Sequence, residues 1–322
     1  MLFTQNKNVN FQTTVSMFLL LESVITLKKH LQQLEDEAIS IIRETFSVSE
    51  NPVVLYSIGK DSSVLLHLFR KSFFPLRVPI KFLHIDTGWK FKEMIKFKHT
   101  MFSKYNIDGL THMNIDGKNN NINPFDHSNY TDVMKTQALR DALDKYKFDF
   151  VYGGARRDEE SSRSKEKILS HRNSKNVWDP KNQKIEPWLL FNFLKYSDES
   201  FRIFPISNWT ELNIWEYIDE QSIAVVPLYF SKKRKVIKRN EQIFLMDDER
   251  FKLNNNDEVL NLNVRFRTLG CYPLTAGVES DAKNPKMIIK EVKNAEYSER
   301  AGRLIDQDKI GSMELKKREG YF

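Results

Sequence analysis

Seven consecutive residues, Ser57-Ile58-Gly59-Lys60-Asp61-Ser62-Ser63, bring together a glycine, a lysine and three serines. That set can hold phosphate. Gly59 lets the backbone approach an anion closely. Lys60 supplies a cation, and Ser57, Ser62 and Ser63 supply hydroxyls. A helix starting there adds unpaired N–H groups and a partial positive charge. Asp61 is unexpected beside an anion; its local role is to cap the helix or brace the loop. A Walker loop would need a glycine where Val54 stands and a Ser or Thr where Asp61 stands,. Taken alone, the segment also suits an ordinary strand-to-helix turn.

Two further segments could serve the same chemistry. Gly153-Gly154-Ala155-Arg156-Arg157-Asp158-Glu159-Glu160 offers two guanidinium forks that match phosphate or sulfate oxygens bidentately, with Arg163 further along,. The same arginines could pair with the adjacent acids on a solvated helix start. In Asp86-Thr87-Gly88-Trp89, Asp86 either lies near a ribose or metal, or caps the next helix. The seven histidines show no metal spacing, and no protein metal ligand is assigned,. His84 reads as a packed strand residue, and Trp209 and Trp215 as packing residues.

Elements that would position these groups follow from hydrophobic spacing. Leu27, Leu31, Leu34, Ala38, Ile41 and Ile42 predict a helix over 26–45,. Apolar stretches at 52–56, 80–85, 110–115, 148–152 and 201–206 predict strands. Between them lie helices from 63, over 91–105 and over 131–146, with a loop at 117–123 and a further helix from Thr210, a suitable N-cap. The run Val53-Val54-Leu55 lacks alternation, as in a strand covered on both faces,. Alternating strands and helices predict an α/β fold with a doubly wound, mostly parallel sheet. Ligands in such folds sit at the carboxyl ends of strands, near a topological switch point. All three segments above follow predicted strands. From about residue 231 the alternation fades, which predicts an irregular C-terminal extension. The expected division is an N-terminal extension of unassigned role at 1–22, a nucleotide-binding catalytic domain at 23–230 and an extension at 231–322.

Composition narrows the class. The 322 residues are 40% apolar and 29% charged, enough for a core and too polar for a membrane protein,. The run Met17-Phe18-Leu19-Leu20-Leu21 is too short to span a bilayer,. The expectation is a soluble, cytoplasmic protein. A single cysteine, Cys271, excludes an intramolecular disulfide and a thiolate zinc or iron–sulfur site within one chain,. The net charge of +7 suits either a lysine-rich solvated surface or a protein that handles anions,. Basic residues are spread along the chain, and the densest run, Lys232-Lys233-Arg234-Lys235, is short, which argues against nucleic acid,.

Ser-x-Gly-Lys-Asp-Ser resembles the signature of the N-type ATP pyrophosphatases, which are related to the phosphosulfate reductases and share an adenine nucleotide alpha hydrolase-like fold. Further segments narrow the likeness: His84-Ile85-Asp86-Thr87-Gly88-Trp89, the Gly153–Glu160 run, Trp178-Asp179-Pro180-Lys181-Asn182-Gln183, Asn208-Trp209-Thr210-Glu211, Arg265-Phe266-Arg267-Thr268-Leu269-Gly270-Cys271, and the tail from Gly311 to Phe322. In this order they resemble the ATP-binding small subunits of bacterial heterodimeric ATP sulfurylases, from about Thr26 onward. Asn213 and Tyr272 are minor departures, where Asp and Trp are usual.

The resemblance implies transfer of the adenylyl group of ATP to sulfate, giving adenosine 5′-phosphosulfate and pyrophosphate. It implies ATP with Mg²⁺, and a partner GTPase subunit that couples GTP hydrolysis to the step. It puts nucleotide contacts at Ser57, Gly59, Lys60, Asp61, Ser62, Ser63, Asp86, Thr87, Gly88, Gly153 and Gly154. Catalytic charge neutralisation falls to Lys60, Arg156 and Arg157. The region 231–322 is the candidate docking surface. Three rivals stand beside this reading: a phosphosulfate reductase, a tRNA-thiolating enzyme and a non-catalytic nucleotide-binding partner. The first needs a redox cysteine near the C-terminus, and the second needs paired cysteines or an RNA-binding domain. Neither feature is present in this sequence.

Overall fold

The computed structural model describes residues 27–159, 161–240, 242–255 and 257–295. The expected extension at 1–22, Glu160 and the tail motif 311–322 lie outside the described residues. Six strands form the main sheet: β1 (Val53–Leu55), β2 (Lys81–Ile85), β3 (Gly109–His112), β4 (Phe150–Tyr152), β5 (Leu169–Arg172) and β6 (Ser200–Ile203). Their spatial order is β3-β2-β1-β4-β6-β5. All neighbours pair in parallel except β5, which runs antiparallel to β6 at the edge. The expected doubly wound, mostly parallel sheet is present.

Among the described residues, eight α-helices accompany the strands: α1 (Lys29–Ser47), α2 (Lys60–Phe73), α3 (Lys92–Tyr105), α4 (Ile115–Asn119), α5 (Ala138–Tyr146), α6 (Ser161–Ser164), α7 (Glu211–Glu220) and α8 (Pro285–Lys293). Alternate residues of the central strands face opposite helical layers. Val54, Tyr56, Phe82, Phe150 and Tyr152 pack in the same core as α1, α2 and α3. Val53, Leu55, Leu83, Ile85 and Val151 pack with Leu139, Ala142 and Leu143 of α5. Burial on both faces is why Val53-Val54-Leu55 is uniformly apolar.

The chain moves from β1 outward through β2 to β3, then returns to place β4 on the other side of β1. The switch point therefore lies between β1 and β4. The predicted phosphate loop follows β1, and Gly153-Gly154 follows β4.

Three details differ from the predicted elements, the first being that α4 (Ile115–Asn119), capped by Asn114, occupies the start of the loop predicted at 117–123. The helix predicted over 131–146 begins as a π-wound segment, Asp132–Gln137, before continuing as α5. The region from 231, predicted irregular, carries a second sheet of four antiparallel strands in the order β10-β9-β7-β8. These are β7 (Lys232–Arg239), β8 (Gln242–Leu245), β9 (Val259–Arg265) and β10 (Val278–Glu279). In β7, Val236 and Ile237 are adjacent and both buried. Basic residues surround them, and this composition hides the strand from a period-two reading. The core runs through both sheets, since Val236, Ile243, Phe244 and Phe266 belong to the cluster that holds Val54 and Tyr56. Thr210 caps α7 as predicted. Its Oγ1 accepts the Asn213 N–H at 3.1 Å while the Asn213 side chain accepts the Thr210 N–H at 2.9 Å. Asn213, a departure from the expected Asp, thus completes a reciprocal cap.

Candidate active site

A cavity of about 210 Å³ opens at the carboxyl edge of β1, β2 and β4. The loop after β1 forms one wall. Ile58 takes the left-handed backbone there, at φ 67°, with its side chain fully buried. A β-branched residue in that conformation costs about 1–3 kcal/mol and is held only by its surroundings. Gly59, by contrast, is extended at φ −82° and serves as N-cap of α2. The reversal of direction into α2 therefore rests on Ile58, pinned by the core, and the adjacent glycine gives access.

The start of α2 is partly satisfied from within. The Lys60 N–H donates to the Tyr229 hydroxyl at 2.8 Å, and the Ser63 N–H to the Gly59 carbonyl at 3.0 Å. The hydroxyls of Ser62 and Ser63 also donate to that carbonyl, at 2.9 and 3.0 Å. Their protons tighten the turn. The amides of Asp61 and Ser62, which have no intrahelical acceptor at a helix start, remain for an anion.

Lys60 is 1% exposed and lines the cavity, with Nζ 3.3 Å from Asp61 Oδ2. Arg156, fully buried, grips the other Asp61 oxygen through Nε at 2.7 Å. Burial by itself would raise the Asp61 pKa, but Lys60 and Arg156 outweigh it and hold the carboxyl below the usual range. Asp61 is thus an ionised clamp between two cations. The chain of polar contacts continues outward. Arg156 Nη1 is 3.6 Å from Asp158, Asp158 accepts the Glu211 N–H at 2.9 Å, and Glu211 accepts Arg267 at 2.8 Å. Gly154 packs directly on this loop. A Cβ there would stand 3.2 Å from Asp61 Cβ and 3.3 Å from its carbonyl carbon, so a larger residue would have to push the loop back by a few tenths of an ångström.

Of the residues singled out from the sequence, Ser57, Gly59, Lys60, Asp61, Ser62, Thr87, Gly153 and Gly154 line the cavity. Ser63, Asp86, Gly88, Arg156 and Arg157 do not. Asp86 accepts the Gly88 N–H at 2.8 Å and closes the local turn, and Gly88 takes φ 72° there. Arg157 turns to Asn208 and, at 3.4 Å, to the Glu166 carbonyl. His84 donates through Nδ1 to the Tyr56 carbonyl at 2.9 Å, and burial lowers its pKa to about 3, so it is neutral.

Sequence reasoning missed Lys90, Lys135 and Tyr229, and quoted Thr268–Gly270 within a motif without a site role; all of these line the cavity. It noted Arg163 only in passing. Arg163 is 8% exposed and lines the cavity; its Nε stands 3.7 Å from Glu159 Oε2. Its Nε and Nη1 find no hydrogen-bond acceptor among the described residues. Lys135 lies on the π-wound turn, a feature frequent at functional sites,. Lys90 directly follows the quoted Asp86–Trp89 motif, which was the available signal. Leu55, Leu83, Ile85 and Leu139 add apolar surface to the same lining. The cavity therefore combines apolar groups suited to a flat base with cations suited to an oligophosphate.

Residues 51–277 match the phosphoadenosine phosphosulfate reductase domain family. The chain is 58% identical over 295 residues to sulfate adenylyltransferase subunit 2 of Rhizobium sp. (strain N33), covering 91% of this chain and 98% of that protein. It is 56% identical over 295 residues to the protein of the same name from Acinetobacter baumannii (strain AYE), covering 91% and 97%. Among solved structures, Candida glabrata FMN adenylyltransferase in complex with ATP is similar at a TM-score of 0.49 and 16% identity, over 89% of this chain and 94% of that one. That likeness is too loose to carry residue assignments.

Proposed function

The chain belongs to the phosphoadenosine phosphosulfate reductase domain family and to its sulfate adenylyltransferase subunit 2 members, and from that membership we propose how its residues activate sulfate. The reaction transfers the adenylyl group of ATP to sulfate. A sulfate oxygen forms a bond to the α-phosphorus while the bond from that phosphorus to the bridging oxygen breaks. Pyrophosphate leaves with the electron pair. Sulfate is already ionised, so no protein nucleophile or general base is needed.

The obstacle is repulsion between a dianion and a polyanion. A single like-charge pair at 4 Å costs ~1 kcal/mol in water and ~4 kcal/mol at an effective dielectric of 20. One observation carries the mechanistic reading: Lys60, Lys90, Lys135 and Arg163 come from four separate segments and line one cavity with the phosphate loop. Fixed charge held in place before reaction is the form of catalysis this step needs. In this reading the Asp61 and Ser62 amides and Lys60 hold the departing pyrophosphate. Arg163, with Lys90 and Lys135, receives the incoming sulfate and the α-phosphate. Arg156 and Asp61 keep Lys60 in place.

Magnesium fits as the counter-ion of the nucleotide. Among the described residues, Asp61 and Glu159 are the carboxylates that line the cavity, and no cluster of three or more metal-ligating side chains forms. The ion would ride chiefly on phosphate oxygens and water. It would supply further charge neutralisation. The domain family's name points to reductases, the second reading. Cys271, 4% exposed and beside Thr87 at 3.4 Å, offers no mobile thiol for that chemistry.

The relatives' designation as subunit 2 supports a partner subunit for this chain. Forming a phosphate–sulfate anhydride is uphill, and this chain lacks a Walker loop, so we assign the coupled GTP hydrolysis to that partner. Residues 231–322 remain the candidate docking surface. Among the described residues no helix is long and apolar enough to cross a membrane, and the lone cysteine suits the cytoplasm,.

The test is pyrophosphate release from ATP by the purified chain with its partner subunit, with and without sulfate and GTP. Release should require sulfate and rise with GTP. Release that ignores sulfate would reject the assignment. A second experiment separates the arginines. Arg163→Met should lower sulfate-dependent kcat/KM by about 10²-fold. Arg157→Met, which alters an external contact, should change it less than about fivefold. The reverse ranking would return the role to Arg157.

A further inference from the structure

A second cavity, of about 110 Å³, lies behind the phosphate loop between α2, α3 and the turn after α7. Its α2 wall is a single stripe. Ser63, Leu66, His67 and Arg70 recur at i, i+3, i+4 and i+7, the spacing that aligns side chains on one helix face,. Three polar groups on this cavity are unspent. Tyr56 is 1% exposed, and its hydroxyl has no hydrogen-bond partner. His67 Nε2 is buried without one. The Arg70 guanidinium lies flat on the Tyr105 ring, 3.7 Å from its centroid. Among the described residues it makes no hydrogen bond or ion pair. Ser63 lies within loose hydrogen-bonding reach of the Tyr56 phenol, and Gln221 of the His67 imidazole, but neither contact reaches hydrogen-bond geometry at the Tyr56 oxygen or at His67 Nε2.

The surrounding charge favours an anion. Lys71 is spent on Glu35 at 2.7 Å, and Glu35 also accepts the Tyr217 hydroxyl. Burial, with Lys71 nearby, lowers the His67 pKa to about 4, so the ring is neutral and can present Nε2–H. Arg70 is then the uncompensated charge. A stacked guanidinium is a preorganised fork for oxygen ligands. The volume is about half that of the cavity beside Lys60 and suits a group of about five atoms.

We infer that this cavity is a binding site for a small tetrahedral oxyanion, sulfate or phosphate, held by the Tyr56 hydroxyl, His67 Nε2–H and Arg70. Bound there, the anion ties α2, whose first residues form the phosphate loop, to α3 and the 221–224 turn.

Selenate, a sulfate-shaped anion with an anomalous signal, is the probe. Crystals of the full chain grown without nucleotide and soaked in selenate should give an anomalous peak in this cavity, separate from any peak beside Lys60. Arg70→Met should abolish it, and Arg70→Lys should restore it in part. Arg70 is half-exposed, so these variants should fold. In solution, the rise in thermal midpoint with selenate concentration should need at least about tenfold more anion in Arg70→Met. Displacement at lower concentration by sulfate or by phosphate names the natural occupant. Water density alone in the cavity, or a peak unchanged in Arg70→Met, overturns the site. The readout does not depend on pyrophosphate release, so its failure leaves the catalytic assignment untouched.

Discussion

Lys60→Met is expected to lower sulfate-dependent kcat by about 10²–10³-fold with a smaller change in KM for ATP. The magnitude is that of removing one preorganised charge or donor from a water-poor site. Lys60 is 1% exposed, and its ammonium is anchored 3.3 Å from Asp61 on the cavity wall. Such a charge is aligned before the reaction and needs little reorganisation as pyrophosphate departs. An interaction that strengthens in the transition state acts on kcat, whereas uniform binding would act on KM. Steady-state kinetics of pyrophosphate release decide between these. A variant with unchanged kcat and raised KM would make Lys60 a binding residue only. Methionine keeps the apolar stem of the side chain, and Asp61 retains Arg156, so the fold should survive.

Asp61→Asn is expected to cost about 3–5 kcal/mol of stability, because it removes the carboxylate that the fully buried Arg156 holds at 2.7 Å,. It should also lower activity, since Lys60 loses its anchor. The pH dependence identifies the cause. In the folded protein the Asp61 carboxyl titrates below its ordinary value. A depressed carboxylate contributes stability that is fully present above the unfolded pKa of about 4 and is lost as pH falls through the folded value. The gap in thermal midpoint between wild type and Asp61→Asn should therefore be constant near neutrality and close below about pH 4. Circular dichroism melts from pH 7 to pH 3 measure it. A gap that does not narrow in acid would mean that lost packing, not the lost charge, causes the effect.

Both predictions concern a loop that local sequence marks strongly, yet its working parts were legible to different degrees. Lys60 and Asp61 were visible because strand, glycine and helix start are adjacent in the chain. Ile58 as the left-handed residue was not. Local propensity favours glycine there, and only the core that buries the Ile58 side chain makes the alternative tolerable. The two serines looked like phosphate donors, but both hydroxyl protons turn inward to Gly59.

The paired arginines teach a related lesson. Arg156 and Arg157 stand at a strand end in the right neighbourhood, and their composition suits an oxyanion. Arg156 is instead drawn under the loop by Asp61, 95 residues away, and Arg157 is held outward by Asn208. Arg163, Lys90 and Lys135 occupy the cavity wall. The chain enters a turn at Arg157, and the two side chains find different partners, so sequence proximity to a site does not fix which side chain enters it.

The amino-acid sequence by itself determined the strand–glycine–helix loop, the alternating strands and helices, the family and its reaction. Each of these depends on short-range order: apolar period, turn chemistry, and motifs contiguous in the chain. Tertiary structure alone decided that Asp61 is held between Lys60 and Arg156, which cations line the cavity, and that Thr268–Gly270 reach the same cavity. Those outcomes depend on partners tens to hundreds of residues apart, such as the Lys60 amide on Tyr229. Side-chain direction at a strand's carboxyl end is set by what packs around it, and local spacing carries no record of those neighbours.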